Sequence, residues 1–292
     1  MNAFTIRDLE NISGIKAHTI RVWEQRYDFL KPQRTDTNIR YYSSEELKTI
    51  LNVSLLNKYG FKISSISKMN SQQMQDKIQS LTHSSIVKER IVNELIQQLL
   101  DLDMNHFEQL LNGYIHSKGI EHTITQIIFP FLERIGVLWL TNHINPAQEH
   151  LVTNIIRQKL ISGIESMHVR IKSGQKGLLF LPEGEHHELG LLFVYYLLKS
   201  KGVDVLYVGA NAPLKDVEYI VRLKKPNFLY THLTSVSDKF NFEKFMQQLQ
   251  QRCGDYKVVI SGPLTHTYKK QVPNNIWFKK SLGEAMEFVG AL

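Results

Sequence analysis

The residues with the most chemistry to offer lie in one short run, Phe180-Leu181-Pro182-Glu183-Gly184-Glu185-His186-His187-Glu188-Leu189-Gly190. A short apolar strand is expected from Gly177 to Leu181. It leads into a polar loop with two adjacent imidazoles, and the loop closes on Gly190 where a helix starts. Imidazole ligates metals and titrates near neutral pH. Glu185, two residues before His187, is placed to hold one ring nitrogen and so orient the ring. In an open α/β sheet the carboxyl ends of the strands are where ligands sit. The competing reading is a surface loop with ordinary solvated histidines, and the loop alone does not exclude it. Cys253, the single cysteine, cannot by itself build a zinc site or an internal disulfide, and reads as a partly buried structural thiol.

The elements that must hold this loop follow from periodicity. After Gly174, apolar strands over 176–181, 203–208, 228–233, 257–261 and 276–278 alternate with helices over 188–200, 213–223, 240–252 and 282–291. That alternation predicts βαβ units and a five-stranded parallel sheet, an α/β flavodoxin-like (Rossmann-like) domain over 173–292. No Gly-x-Gly-x-x-Gly follows the first strand, which argues against a dinucleotide. Upstream, residues 86–171 carry a helical period throughout. Helices over 105–118, 120–140 (with a kink at Pro130) and 147–168 follow a first one marked by Val87, Ile91, Leu95, Leu99 and Leu100. These predict a four-helix bundle over 89–172. The Ser-, Gln- and Asn-rich stretch before it holds the expected linker, 76–88.

Residues 1–75 are organised differently. Thr5 is placed to cap a short helix, Ser13-Gly14-Ile15 turns, and a second helix runs from Ala17 to Tyr27 with Ile20, Trp23 and Tyr27 on one face. Two short helices around a Gly-containing turn make an all-α winged helix-turn-helix when a wing follows, here 31–43 turning at Asp36–Asn38. Lys16, His18, Thr19 and Arg21 lie near the start of the second helix, where such a helix meets base edges. Arg34 and Arg40 suit backbone phosphates. Ser43-Ser44-Glu45-Glu46 opens another helix, 45–59. Over residues 1–70, eleven Lys and Arg stand against seven Asp and Glu, and the whole chain has a net charge of +7. Both fit an anionic partner without naming it.

Thr5-Ile6-Arg7-Asp8-Leu9, Gly14-Ile15, Thr19-Ile20-Arg21-Val22-Trp23-Glu24, Pro32, Arg34, Arg40-Tyr41-Tyr42-Ser43 and Gly60-Phe61-Lys62-Ile63 resemble the N-terminal domain of the MerR family. The resemblance implies a DNA-binding domain acting in dimers on double-stranded promoter DNA, with Tyr41 among the contacting residues and RNA polymerase as a further partner. The later domains resemble cobalamin-binding modules, whose motif is Asp or Glu-x-His-x-x-Gly, then Ser or Thr-x-Leu or Val, then Gly-Gly. Glu185-His186-His187-Glu188-Leu189-Gly190 matches the first part. It implies His187 as lower axial cobalt ligand, Glu185 behind it, and Gly190 beside the cofactor's nucleotide tail. Thr231-His232-Leu233 supplies the second part, with Thr231 or His232 as the polar position. Ser261-Gly262-Pro263 stands where the motif has Gly-Gly, so a side chain at Ser261 could crowd a tail threaded between sheet and helix.

Trp139 and the pair Glu149-His150, nine residues apart, resemble the cap of the light-responsive cobalamin repressors within the MerR family. The resemblance implies that these residues cover the upper face of adenosylcobalamin: an indole wall, with a carboxylate and an imidazole for hydrogen bonds. The photoreceptors of that group carry a histidine directly after the tryptophan, where this chain has Leu140. Leucine cannot ligate cobalt, and His143 would need a different backbone path. The expected protein is therefore a DNA-binding repressor with a cobalamin sensor, forming a homo-oligomer (dimer or tetramer), in the cytoplasm and with no membrane segment. It is not an enzyme and no catalytic residue is expected. The rivals are a cofactor-free regulator that uses the same domains for oligomerisation or docking, and a corrinoid carrier in methyl transfer, against which the DNA-binding domain argues.

Overall fold

The computed structural model describes residues 4–140, 143–235 and 240–292. The side chain of Leu140 lies outside the described residues, and so does the question posed by that position. The chain divides into two units, one through Ile155 and one from Ile156.

In the first unit α1 (Ile6–Ser13) starts on a capping box: the Thr5 hydroxyl accepts from the Asp8 N–H while Asp8 Oδ2 accepts from the Thr5 N–H at 2.7 Å. Two N–H groups that have no partner inside the helix are thereby satisfied. The helix ends at Gly14, whose φ of 74° is the left-handed cap glycine adopts readily. α2 (Ala17–Arg26) buries Ile20 and Trp23. The wing is β1 (Gln33–Arg34) paired antiparallel with β2 (Arg40–Tyr41). α3 (Ser44–Lys58) opens on a second capping box, Ser43 with Glu46, and packs on α1. α4 (Ile63–Ile66) and α5 (Ser71–Gln79) follow.

α6 (Ser84–Asp101) starts inside the stretch expected to be linker. α7 (Met104–Lys118) and α8 (Ile120–Thr123) come next. A π-helical turn, Ile124–Ile128, then passes into α9 (Phe129–Leu140). Pro130 has no N–H to offer the carbonyl of residue 126, so the expected kink takes the form of a widened turn just ahead of it. α10 (Pro146–Ser166) completes the helical region.

The second unit is the α/β domain: β3 (Lys176–Pro182), α11 (Leu189–Ser200), β4 (Asp204–Ala212), α12 (Leu214–Lys224), β5 (Phe228–His232), α13 (Phe242–Cys253), β6 (Lys257–Ser261), β7 (Ile276–Lys279) and α14 (Leu282–Gly290). The five strands are parallel in the order β4-β3-β5-β6-β7. This is the flavodoxin-like order, with its topological switch between β3 and β5. α12 and α13 cover one face, over Leu178, Phe180, Leu229, Leu233, Val258 and Ile260. α11 and α14 pack on the other, where Phe288 meets Phe228 and Tyr230. Successive residues of a strand alternate faces. His232 therefore faces α11, while Thr231 turns away with Leu229 and Leu233. That assigns His232, not Thr231, to the polar position on the α11 side.

Candidate functional site

The crevice at the switch point is bordered by the loop after β3 and the loop after β5. Glu185 is wholly buried and is the hub joining them. Its Oε1 accepts from the His187 backbone N–H at 2.9 Å and faces His187 Nδ1 at 2.7 Å. Its Oε2 accepts from the backbone N–H groups of Thr234 and Ser235 at 2.8 and 2.9 Å. Burial alone would raise the pKa of this carboxyl. Hydrogen bonds from the His187 side chain and from the His187, Ser235 and Thr234 backbone outweigh it and hold the group below the usual carboxylate value. An ionised carboxylate only accepts, so the proton of this hydrogen bond lies on Nδ1 of His187. The His187 side chain is 49% exposed. Thr234 and Ser235 escaped the sequence reading because they contribute backbone groups, which leave no mark on residue type.

The foot of the loop is fixed separately. Glu188 pairs with Arg157 and accepts from the Tyr207 hydroxyl at 3.0 Å. Burial, then the Glu188 charge, push the Tyr207 phenol far above its usual pKa. Arg157 and Tyr207 were also missed, since the only signal was one glutamate at a helix start.

The other half of the crevice lies between β5, β6 and α11. A Cβ added at Gly190 would stand 2.4 Å from His232 Nε2, so the close approach that requires glycine here is to the His232 ring. His232 Nδ1 lies 2.8 Å from the Ser261 hydroxyl, its register partner on β6. Burial pushes this imidazole down to about 4, so it is neutral at physiological pH. Gly262 has a φ of 102°, and a Cβ there would stand 2.3 Å from the Leu233 carbonyl oxygen. Leu233 is buried in the α12–α13 core, and Thr231 is buried with no partner for its hydroxyl among the described residues.

The residues expected to form a cap lie in the first unit. Trp139 lies in the last turn of α9 with 48% of its surface exposed, Glu149 lies half-buried in the first turn of α10, and His150 is exposed. His143, weighed above as an upper ligand, has its Nε2 2.8 Å from the buried Asp8 carboxylate and its ring 4.6 Å from that of Phe4. It joins the segment between α9 and α10 to the capping box of α1. Burial would raise the Asp8 carboxyl, but Thr5 and His143 together lower it below its usual value.

On the DNA-reading side, Lys16, His18 and Arg21 are exposed near the start of α2, and Thr19 is half-buried. Lys16 pairs with Glu10 at 3.0 Å. In the wing, exposed Arg34 donates to Asn38 at 2.6 Å, and the Tyr41 hydroxyl donates to Gln33 at 2.5 Å. Arg40 Nε is paired with Glu24 at 3.0 Å, and Glu24 also accepts from the Tyr42 hydroxyl. Arg40 thus ties the wing to α2.

A helix-turn-helix with a basic reading helix, and an α/β domain whose switch point offers one oriented imidazole, define a DNA-binding regulator with a ligand-sensing module. The comparisons with known proteins name the first part and the helical region that precedes the second. The model of the MerR HTH family regulatory protein matches residues 4–73, and that of the B12 binding domain matches residues 91–161. The chain is 25% identical over 260 residues to the HTH-type transcriptional repressor CarA of Myxococcus xanthus, covering 88% of this chain and 85% of that one. It is 23% identical over 258 residues to the repressor CarH of the same organism, covering 85% and 84%. In fold it is similar to the monomethylamine corrinoid protein of Methanosarcina barkeri, with a TM-score of 0.57 and 13% identity over 70% of this chain and all of that one. The chain therefore joins a MerR-type helix-turn-helix region to a B12-binding module, the architecture of a B12-sensing DNA-binding regulator.

How well the crevice suits such a group divides at Gly190. The metal end fits. One imidazole, backed by a buried carboxylate, suits a metal whose other positions a macrocycle already fills. Among the described residues no three metal-ligating side chains gather that could hold a bare ion instead. At the tail end the space beside Gly190 is taken by His232.

Proposed function

We propose that this chain is a transcriptional repressor whose hold on promoter DNA depends on a bound corrinoid, taken as adenosylcobalamin. One observation carries the reading: Glu185, buried and fully hydrogen-bonded, orients His187 at the switch point of a chain that also has a DNA-reading helix. His187 is the cobalt ligand, and Glu185 keeps its proton on Nδ1. Trp139, Glu149 and His150 would cover the bound group, an indole wall with a carboxylate and an imidazole for hydrogen bonds. When bound, the group supplies a cobalt–carbon bond that light cleaves, and so makes the protein a photoreceptor.

Lys16, His18, Thr19 and Arg21 read base edges. Arg34 contacts phosphate, with Arg40 and Tyr41 holding the wing in register. The chain works as a homo-oligomer, dimer or tetramer, in the cytoplasm, at a promoter shared with RNA polymerase, and does no catalysis. No described helix is long and apolar enough to cross a membrane. The working domains are 1–75, 89–172 and 173–292, with 76–88 between the first two. The cofactor can shift assembly only by its differential affinity for the two states.

The test is to incubate the full chain with excess adenosylcobalamin in the dark, remove free ligand, and record the visible spectrum before and after green light. Gel filtration and a DNA mobility shift on the same samples follow. A retained chromophore that is lost in His187→Ala supports the sensor. A protein that still binds its promoter but stays colourless with adenosylcobalamin, and with a corrinoid lacking the lower nucleotide, overturns it. That result would favour a cofactor-free regulator, a reading to which the His232 side chain beside Gly190 lends weight.

A further inference from the structure

The crevice holds two histidines, His187 on the loop after β3 and His232 at the end of β5, and they are held differently. His187 stands half-exposed on its buried carboxylate. His232 lies inward, its ring against the backbone of α11 at Gly190, with Nε2, Cδ2 and Cε1 at 2.4, 2.5 and 2.8 Å from where a Cβ would be. Two anchors keep it there. Its Nδ1 bonds to the Ser261 hydroxyl at 2.8 Å. Its backbone is in register with Ser261 on β6, and Leu233 next to it donates to the Ser261 carbonyl at 2.8 Å.

A flat macrocycle ligated by His187 rests on the loop with one face toward the protein. Any substituent carried on that face has to run down between β5, β6 and α11. In this chain that route passes through the His232 ring. The two glycines that would keep such a route open are already used within the protein, Gly190 by His232 and Gly262 by the Leu233 carbonyl. A tail-bearing ligand must displace a partly buried, hydrogen-bonded side chain that lies against Gly190, and a tail-free one need not. Affinity for the first is lowered by the fraction of chains in which the ring has moved out.

We propose that His232, anchored by Ser261, is a specificity-determining residue that makes this chain favour corrinoids without a lower nucleotide over nucleotide-bearing cobalamin. The inference rests on the corrinoid reading above and adds which class of corrinoid the site prefers.

The experiment is equilibrium dialysis of the full chain in the dark against adenosylcobinamide, which has no nucleotide, and adenosylcobalamin. The visible spectrum reports imidazole coordination. The wild-type chain should hold adenosylcobinamide at least about tenfold more tightly. His232→Gly should close or reverse the gap by tightening adenosylcobalamin, leaving adenosylcobinamide within about threefold. Circular dichroism checks that the variant is folded. If it is not, Ser261→Ala, which frees the ring without opening a cavity, should move the ratio the same way by a smaller factor. Equal affinities in the wild-type chain, or a ratio unmoved in the folded variants, overturn the inference and leave the corrinoid reading intact. If neither ligand colours the wild type or any variant, the corrinoid reading falls and takes this inference with it. A variant that binds adenosylcobalamin where the wild type does not supports both.

Discussion

His187 and His232 enter one crevice from adjacent strands, and their partners give the two rings opposite fates. His187 is held by a buried anion whose oxygens are filled by two loops, so its ring is directed outward. His232 is held by a neutral hydroxyl and lies on a glycine, so its ring serves as packing. A histidine beside a motif glycine is thus committed by what backs it: a carboxylate makes it a ligand, and a hydroxyl with a facing glycine makes it a plug.

The largest effect expected from breaking this contrast is at Glu185. Glu185→Ala leaves three loop N–H groups and the His187 ring without their acceptor, at a cost of roughly 3 kcal/mol, read by urea unfolding of the full chain. The acid limb separates the two histidine environments. The Glu185 carboxyl sits below its reference of 4.5 in the fold, so its contribution is complete above that pH and disappears as pH falls through the folded value. His232 also sits below its reference, at about 4 against 6.5, so the unfolded chain protonates first and stability declines from about pH 6.5 downward. Glu185→Gln should flatten the lower part of the limb and His232→Gly the upper part. A limb that keeps its shape in both variants contradicts these assignments.

Gly190→Ala is the next test, and its sign is the readout. Position 190 is helical, where alanine is favoured over glycine by about 1 kcal/mol. In the wild-type background the new methyl meets the pinned His232 ring, and overpacking costs about 1–3 kcal/mol, so the net change is destabilising. In a His232→Gly background the same substitution should stabilise by up to about 1 kcal/mol. Additive effects in this double-mutant cycle would mean that the ring does not rest on Gly190.

Much of this was legible before the fold. Capping boxes, the Gly14 turn and the strand–helix alternation follow local rules of spacing, so the helix-turn-helix, the bundle and the parallel sheet could be read in order. Glu185 and His187 were legible because two residues separate donor from acceptor along the chain. The remainder depends on tertiary contacts. Strand parity, and not the motif, decides that His232 and not Thr231 faces α11. Thr234 and Ser235 act through backbone N–H groups. Asp8 with His143 and Arg40 with Glu24 join residues that are neighbours only in the fold, so spacing along the chain announces neither pair.

The smallest expected change in stability is at His187, where the contrast is sharpest. The side chain is half-exposed and fills no core, so His187→Ala removes one charge-assisted bond from a carboxylate that keeps three backbone donors. Unfolding should shift by less than about 1 kcal/mol, in the range of a partly solvated pair. The same change should abolish the imidazole-coordinated spectrum of any bound corrinoid. His232→Gly should do the reverse, costing more in stability through the lost packing and the stranded Ser261 hydroxyl while keeping that spectrum. If His187→Ala unfolds the domain as readily as Glu185→Ala does, the ring is structural and the outward-facing ligand end has been misassigned. If it is silent in stability and decisive in the spectrum, the buried carboxylate exists to aim a side chain that the fold itself does not need.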